Sequence, residues 1–209
     1  MLFLCYRKYS ALSLKTRKRN FMNQKNKSSN TIALTPIFII LGQILNIITP
    51  SIAGIIRPDF SLAFLFLCIM IKPTFKQVFL ASGLVILTSM ILGGNPIFQL
   101  PAAFDRTLSA LACLLLYKLV LRISPKFFLA KIGVIYFLAT LISGCVYVFT
   151  VYLLGTFLHI SELMIVFKMG LPVLLITIFS TAFVNYFLGI LLYKLVSTLS
   201  KGKYLFAVS

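Results

Sequence analysis

Six long apolar blocks, separated by breaks that carry proline, glycine or charge, leave this chain few architectures to adopt. The blocks run continuously rather than as ten-residue alternating segments. Their backbone groups are therefore satisfied within helices and not across the strands of a barrel. Charged residues make up 11% and hydrophobic residues 60% of the chain, whereas a soluble domain carries roughly a quarter charged residues. The expected fold is an all-α integral membrane protein: a six-transmembrane-helix bundle with both termini cytoplasmic.

The first block covers about residues 32–56 and is interrupted by Pro36 and Pro50. The second, 60–71, is bounded by Pro58 and Pro73, and the third, 78–92, stops at Gly93-Gly94. The fourth, fifth and sixth cover about 102–123, 132–158 and 169–199. A span requires roughly 20 apolar residues, so the second and third fall short. They reach across only with their polar flanks or where neighbouring protein shields their ends. Short Pro- and Gly-bounded segments are tolerated where irregular backbone lines a cavity, which points to a site at that end of the bundle.

Residues 1–31 form a basic leader with Arg7, Lys8, Lys15, Arg17, Lys18, Arg19, Lys25 and Lys27. A secretory signal places its charge before a longer apolar core, so no cleavage is expected. The leader can lie on the inner membrane surface as an amphipathic helix; the alternative is a true start at Met22. The transmembrane domain is expected over 32–199, with a short cytoplasmic tail at 200–209.

Basic residues set the orientation. With the amino terminus inside, the leader joins Lys72, Lys76, Lys118, Arg122, Lys126, Lys131, Lys194, Lys201 and Lys203, placing seventeen of the twenty Lys and Arg on the inner side. Only Arg57, Arg106 and Lys168 fall outside. Positive charge in short flanks marks the cytoplasmic face. All three acids (Asp59, Asp105 and Glu162) lie on the outer side. The net charge of +17 is thus explained by orientation and anionic lipid, and no nucleic-acid partner is expected.

Catalysis finds little support. The chain has no nucleophile–base arrangement, no H-E-x-x-H and no G-x-x-x-x-G-K-S/T phosphate loop, so no enzyme activity, catalytic residue or cofactor is expected. Cys5, Cys68, Cys113 and Cys145 form no C-x-x-C pair and, with three of them inside apolar blocks, read as packing residues. His159 has no companion ligand nearby and reads as a loop residue, so no metal is expected.

Three outer features offer binding chemistry. Arg57 and Asp59 flank Pro58, with Asp59 at the start of the second block, where its charge suits a helix N-terminus. The stretch 93–101 holds two glycines, two prolines, Asn95 and Gln99, and reads as a constrained outer loop dipping between helices. Asp105 and Arg106 open the fourth block as an adjacent acid and base, costly at a membrane boundary unless paired or facing a wet cavity. Two acid–base pairs at one end suit a zwitterionic amino acid, since Arg matches carboxylate geometry. Phe60, Phe98 and Phe104 are candidates for an aromatic wall. Asn46 and Asn185, inside the first and sixth blocks, either join the site or bond a neighbouring helix. Gly133, Ala139, Ser143, Gly144, Ser180, Ala182 and Gly189 permit close helix approach.

The order and spacing of several of these residues resemble the bacterial tryptophan transporter family, which looks like a relative of the substrate-capture (S) components of energy-coupling-factor transporters. The matching stretches are Leu-Gly-Gln-Ile-Leu-Asn-Ile-Ile-Thr-Pro-Ser at 41–51, Pro58-Asp59, Lys72-Pro73, and Gly93-Gly94 through Pro101 to Asp105-Arg106. The similarity is good over 37–122 and looser beyond. It implies a multi-pass protein of the bacterial plasma membrane that imports tryptophan or a related compound. Its implied partners are the lipid bilayer and a coupling subunit with two ATPases. Capture components usually carry small residues four apart on the first helix; residues 35–40 here are bulky and proline-kinked. The alternatives are an S component for another micronutrient such as a vitamin, and a membrane scaffold without transport activity. The expected substrate-binding residues are Arg57, Asp59, Asn95, Gln99, Asp105, Arg106, Asn46 and Asn185, with the arginines on a carboxylate and the aspartates on an ammonium group or locking the arginines.

Overall fold

A computed structural model of the chain describes residues 33–49, 59–92, 96–123, 128–168 and 170–199. The basic leader and the tail, with Arg57 and Asn95, lie outside the described residues. Residues 1–35 form one unit, of which only the opening of the first helix is described; the second unit, 36–209, holds everything discussed below.

Seven helices and no strand occur among the described residues: α1 (Ala33–Ile48), α2 (Phe60–Ile71), α3 (Phe75–Leu92), α4 (Pro96–Ile123), α5 (Phe128–Phe157), α6 (Ser161–Lys168) and α7 (Leu171–Leu199). Three are both long and apolar enough to cross a membrane: α3, α5 and α7. At 28 residues α4 is as long, but it carries Asp105, Arg106, Lys118 and Arg122.

The second block forms a helix with the bounds expected from its flanking prolines, and it is enclosed. Every residue of α2 from Ser61 to Met70 is buried. A helix that is apolar all round belongs in a core, and twelve residues rise only about 18 Å. Its neighbours α3, α4, α5 and α7 surround it, each presenting one inward stripe. On α4 this is Ala110, Cys113, Leu114 and Tyr117; on α5 it is Ile132, Ile135, Tyr136 and Ala139. Spacings of three and four residues place such side chains on one helix face. The opposite faces are apolar and exposed, as with Phe179, Phe183, Phe187, Leu191, Leu195 and Leu199 on α7, the pattern of a surface solvated by lipid.

Two expectations need correcting. The stretch 93–101 is not a loop throughout, because α4 already begins at Pro96 and runs on through Pro101. Proline at the first helical position lacks only an N–H that has no intrahelical acceptor there, and its fixed φ suits the helix. The connection between the fifth and sixth blocks is not a plain loop either. It holds α6, with Glu162 in its first turn, packed on α5 through the buried Leu163 and a Tyr152–Phe167 ring contact with centroids 5.9 Å apart. His159, at φ 51°, turns the chain between these two helices.

Cys68 and Cys113 are buried packing residues, whereas Cys145 is exposed. The small residues of α5 and α7 bring those helices together. A Cβ on Gly133 would sit 2.6 Å from the Tyr186 ring, and one on Gly189 would overlap the ring of Tyr136. Tyr136 cannot yield easily. It is fully buried, its hydroxyl donates to the Ala63 carbonyl at 3.0 Å, and its ring meets Phe66 edge-on with centroids 5.7 Å apart. Overpacking of this kind typically costs about 1–3 kcal/mol. Gly189→Ala should therefore lower the thermal unfolding midpoint of the full-length protein in detergent, while Gly83→Ala, where the new methyl meets nothing within 4 Å, should not. Equal midpoints for the two variants would rule out this packing.

Candidate functional site

The inward stripes change character along the bundle. Around most of α2 they are apolar; towards its N-terminus they turn polar and enclose a cavity of about 550 Å³. The C-terminal parts of α1 and α3, the middle of α5 and the N-terminal parts of α2, α4 and α7 form its wall, so it lies towards one end of the bundle. On α5 the lining residues are Thr140, Ser143, Gly144 and Tyr147; on α4 they are Phe98, Gln99, Ala102, Asp105 and Arg106. Both sets keep helical spacing, and on α5 the polar stripe continues the line of Ile132, Ile135, Tyr136 and Ala139.

The charged wall is built from α2, α4 and α5. Asp59 is the N-cap of α2: one carboxylate oxygen accepts from the Leu62 N–H at 3.0 Å and from the Ser61 hydroxyl at 2.8 Å. A side chain in this position satisfies a helix donor that would otherwise lack a partner. The other oxygen accepts from Arg106 Nη2 at 2.7 Å. Arg106 therefore pairs across to α2 and not with its sequence neighbour. Adjacent positions on a helix point about 100° apart and do not face each other. Asp105, 5% exposed, instead accepts from the Ser143 hydroxyl of α5 at 2.7 Å. The Nη1 atom of Arg106 is buried and has no hydrogen-bond partner among the described residues. A guanidinium with one arm held by a carboxylate and the other empty is a ready anchor for a second anion.

Of the expected site residues, Asn46, Asp59, Gln99, Asp105 and Arg106 all line this cavity. Asn185 does not. It is fully buried behind the wall, where its amide donates to the Thr140 hydroxyl at 3.1 Å, so it bonds a neighbouring helix. Of the three candidate wall aromatics only Phe98 lines the cavity; Phe104 is 56% exposed and Phe60 packs against the core. Ser143 does more than allow close packing, since it holds Asp105. Gln43, Ser61, Ser89, Thr140, Tyr147, Thr177 and Thr181 also line the cavity and are not among the expected substrate-binding residues. Their signal was polar side chains at three- and four-residue spacing inside apolar blocks. Among the described residues no cluster of His, Cys, Asp and Glu could hold a metal ion.

Removing one partner of a buried ion pair typically costs about 3–5 kcal/mol, because the other charge is left uncompensated. Asp59→Ala should approach that loss in thermal unfolding, as it also strips the cap of α2. The double variant Asp59→Ala/Arg106→Leu should recover part of it. Strict additivity of the two single losses would exclude the pairing.

The family model described as tryptophan transporter TrpP matches residues 28–201, which takes in all seven helices and the whole cavity. No curated protein and no solved structure matches the chain. A match over this much of the sequence, joined to an all-helical fold with long apolar helices, makes the chain a membrane transport protein that belongs to the tryptophan transporter TrpP family.

Proposed function

We propose that the cavity is the tryptophan-binding site. The observation that carries this reading is the buried, unpartnered Nη1 of Arg106 beside two carboxylates. A tryptophan carboxylate completes the guanidinium fork, and Asp105, with one oxygen on Ser143, offers the other to the ammonium group. Asp59 locks Arg106 in place. Asn46 and Gln99 add hydrogen bonds. Arg57 and Asn95 are kept in the proposed site on their sequence positions alone, two residues before Asp59 and three before Phe98. A volume of about 550 Å³ lies within the range of about 300–1,000 Å³ usual for small-molecule sites.

The proposed arrangement is six membrane spans, α1 to α5 and α7, within a domain covering 32–199 of a bacterial plasma-membrane protein. Both termini are cytoplasmic, and α6 lies on the outer side. The distribution of Lys and Arg supports this orientation, and it places the cavity at the extracellular end. On α1 the exposed side chains include Ile37, Ile40, Leu41 and Ile44, bulky where a capture component would present small residues to a coupling subunit. A coupling subunit with two ATPases therefore rests on the resemblance alone.

Losing a hydrogen bond to a charged group costs about 1.5–3 kcal/mol, so Arg106→Gln should weaken binding of labelled tryptophan by about 10- to 100-fold. Unchanged uptake in both Arg106→Gln and Arg57→Ala would show that the site lies elsewhere. For the orientation, a cysteine introduced as Glu162→Cys should react with a membrane-impermeant maleimide in intact cells, whereas Lys201→Cys should react only after permeabilisation. The reverse pattern would invert the topology.

A further inference from the structure

The part of the cavity wall that α1 and α3 supply is neutral, and one residue in it is hydrogen-bonded between the two helices. Gln43 lines the cavity yet is only 6% exposed. Its amide nitrogen donates to the Ser89 hydroxyl at 2.8 Å and to the Val85 carbonyl at 3.4 Å, both on α3. A backbone carbonyl only accepts, so the Val85 contact favours the amide with its nitrogen towards α3. Both N–H groups are then used, and the carbonyl oxygen takes no hydrogen bond from any described residue. What Gln43 offers the cavity is an acceptor. Beside it lie the apolar Ile47, one turn further along α1, and Leu92, three residues beyond Ser89 on α3.

We propose that Gln43 is the specificity-determining residue for the indole ring, its side-chain carbonyl accepting the indole N–H. This rests on the cavity being the tryptophan site. Once the charged wall has taken the carboxylate and ammonium groups, the indole N–H is the one polar group left on the substrate, and it can only donate. Thr177 and Thr181 also line the cavity, but their hydroxyls donate to carbonyls of their own helix, each at 2.8 Å. The side-chain amide of Gln43, by contrast, is tied by its nitrogen to another helix, and the apolar Ile47 and Leu92 line the same cavity. A site built around a substrate N–H rejects the analogue that lacks it, because the buried partner is left unpaired.

The test compares tryptophan with 3-benzothienylalanine, in which sulfur replaces the N–H, by equilibrium binding to purified full-length protein. The wild type should favour tryptophan by about 10- to 100-fold. Gln43→Met, similar in length but without the acceptor, should bind the two ligands within about threefold of each other and hold the thienyl analogue as well as the wild type does, which also reports that it is folded. Ser89→Ala removes the stronger anchor of the amide and should shrink the preference for tryptophan without abolishing binding. A wild type that binds tryptophan but shows no preference overturns the inference, as does full preference retained in either Gln43→Met or Ser89→Ala. A wild type that binds neither ligand overturns the cavity as the tryptophan site and this inference with it.

Discussion

Helix α2 is about 18 Å long against a hydrocarbon core of about 30 Å, and it has no polar face to turn towards water. Exposed to lipid it would leave its terminal backbone groups unsatisfied, at several kcal/mol each. Enclosure by α1, α3, α4, α5 and α7 removes that penalty, and the inward stripes are mostly apolar where α2 runs beside them, with Gln77, Ser82 and Ser109 as buried polar exceptions. Where α2 begins, the same stripes carry hydroxyls, amides and charges. The polar cavity is thus a consequence of where a short helix starts. Asp59 does the joining work at that boundary, capping α2 and holding Arg106 of α4.

Much of the helical layout was legible because proline and glycine punctuate uniform apolar blocks. Residues 60–71, between Pro58 and Pro73, are helical over those same bounds. The same residues misled at 93–101, where Pro96 starts a helix instead of holding a turn. Only the geometry of the chain distinguishes those two uses of proline. The eight residues of α6 were missed because a short amphipathic helix outside the apolar blocks carries too little periodicity to stand out.

Asp59, Asp105 and Arg106 stood out as site candidates because a charge inside or beside an apolar block is expensive and so rarely incidental. Their partners could not be read in the same way. Arg106 pairs with Asp59, 47 positions earlier, and Asp105 with Ser143, 38 positions later, and only the packing of α2, α4 and α5 brings these together. The neutral wall was harder still. Serine and threonine in apolar helices often bond their own backbone, as Thr177 and Thr181 do here, so their presence alone says nothing about a cavity. Gln43 lies in the stretch that carries the family resemblance, but its sequence position does not show that its amide bonds α3.

The burial of α2 also bears on passage through the protein. From Leu62 to Met70 the helix climbs about 12 Å through side chains with almost no accessible surface, braced by the Tyr136 hydroxyl on Ala63. Beneath the cavity this is a solid floor, close-packed like any protein interior. On the proposed function, loading the cavity and emptying it on the far side are therefore separate events. The second would then require α2 and its neighbours to part, since the side chains from Leu62 to Met70 have almost no accessible surface.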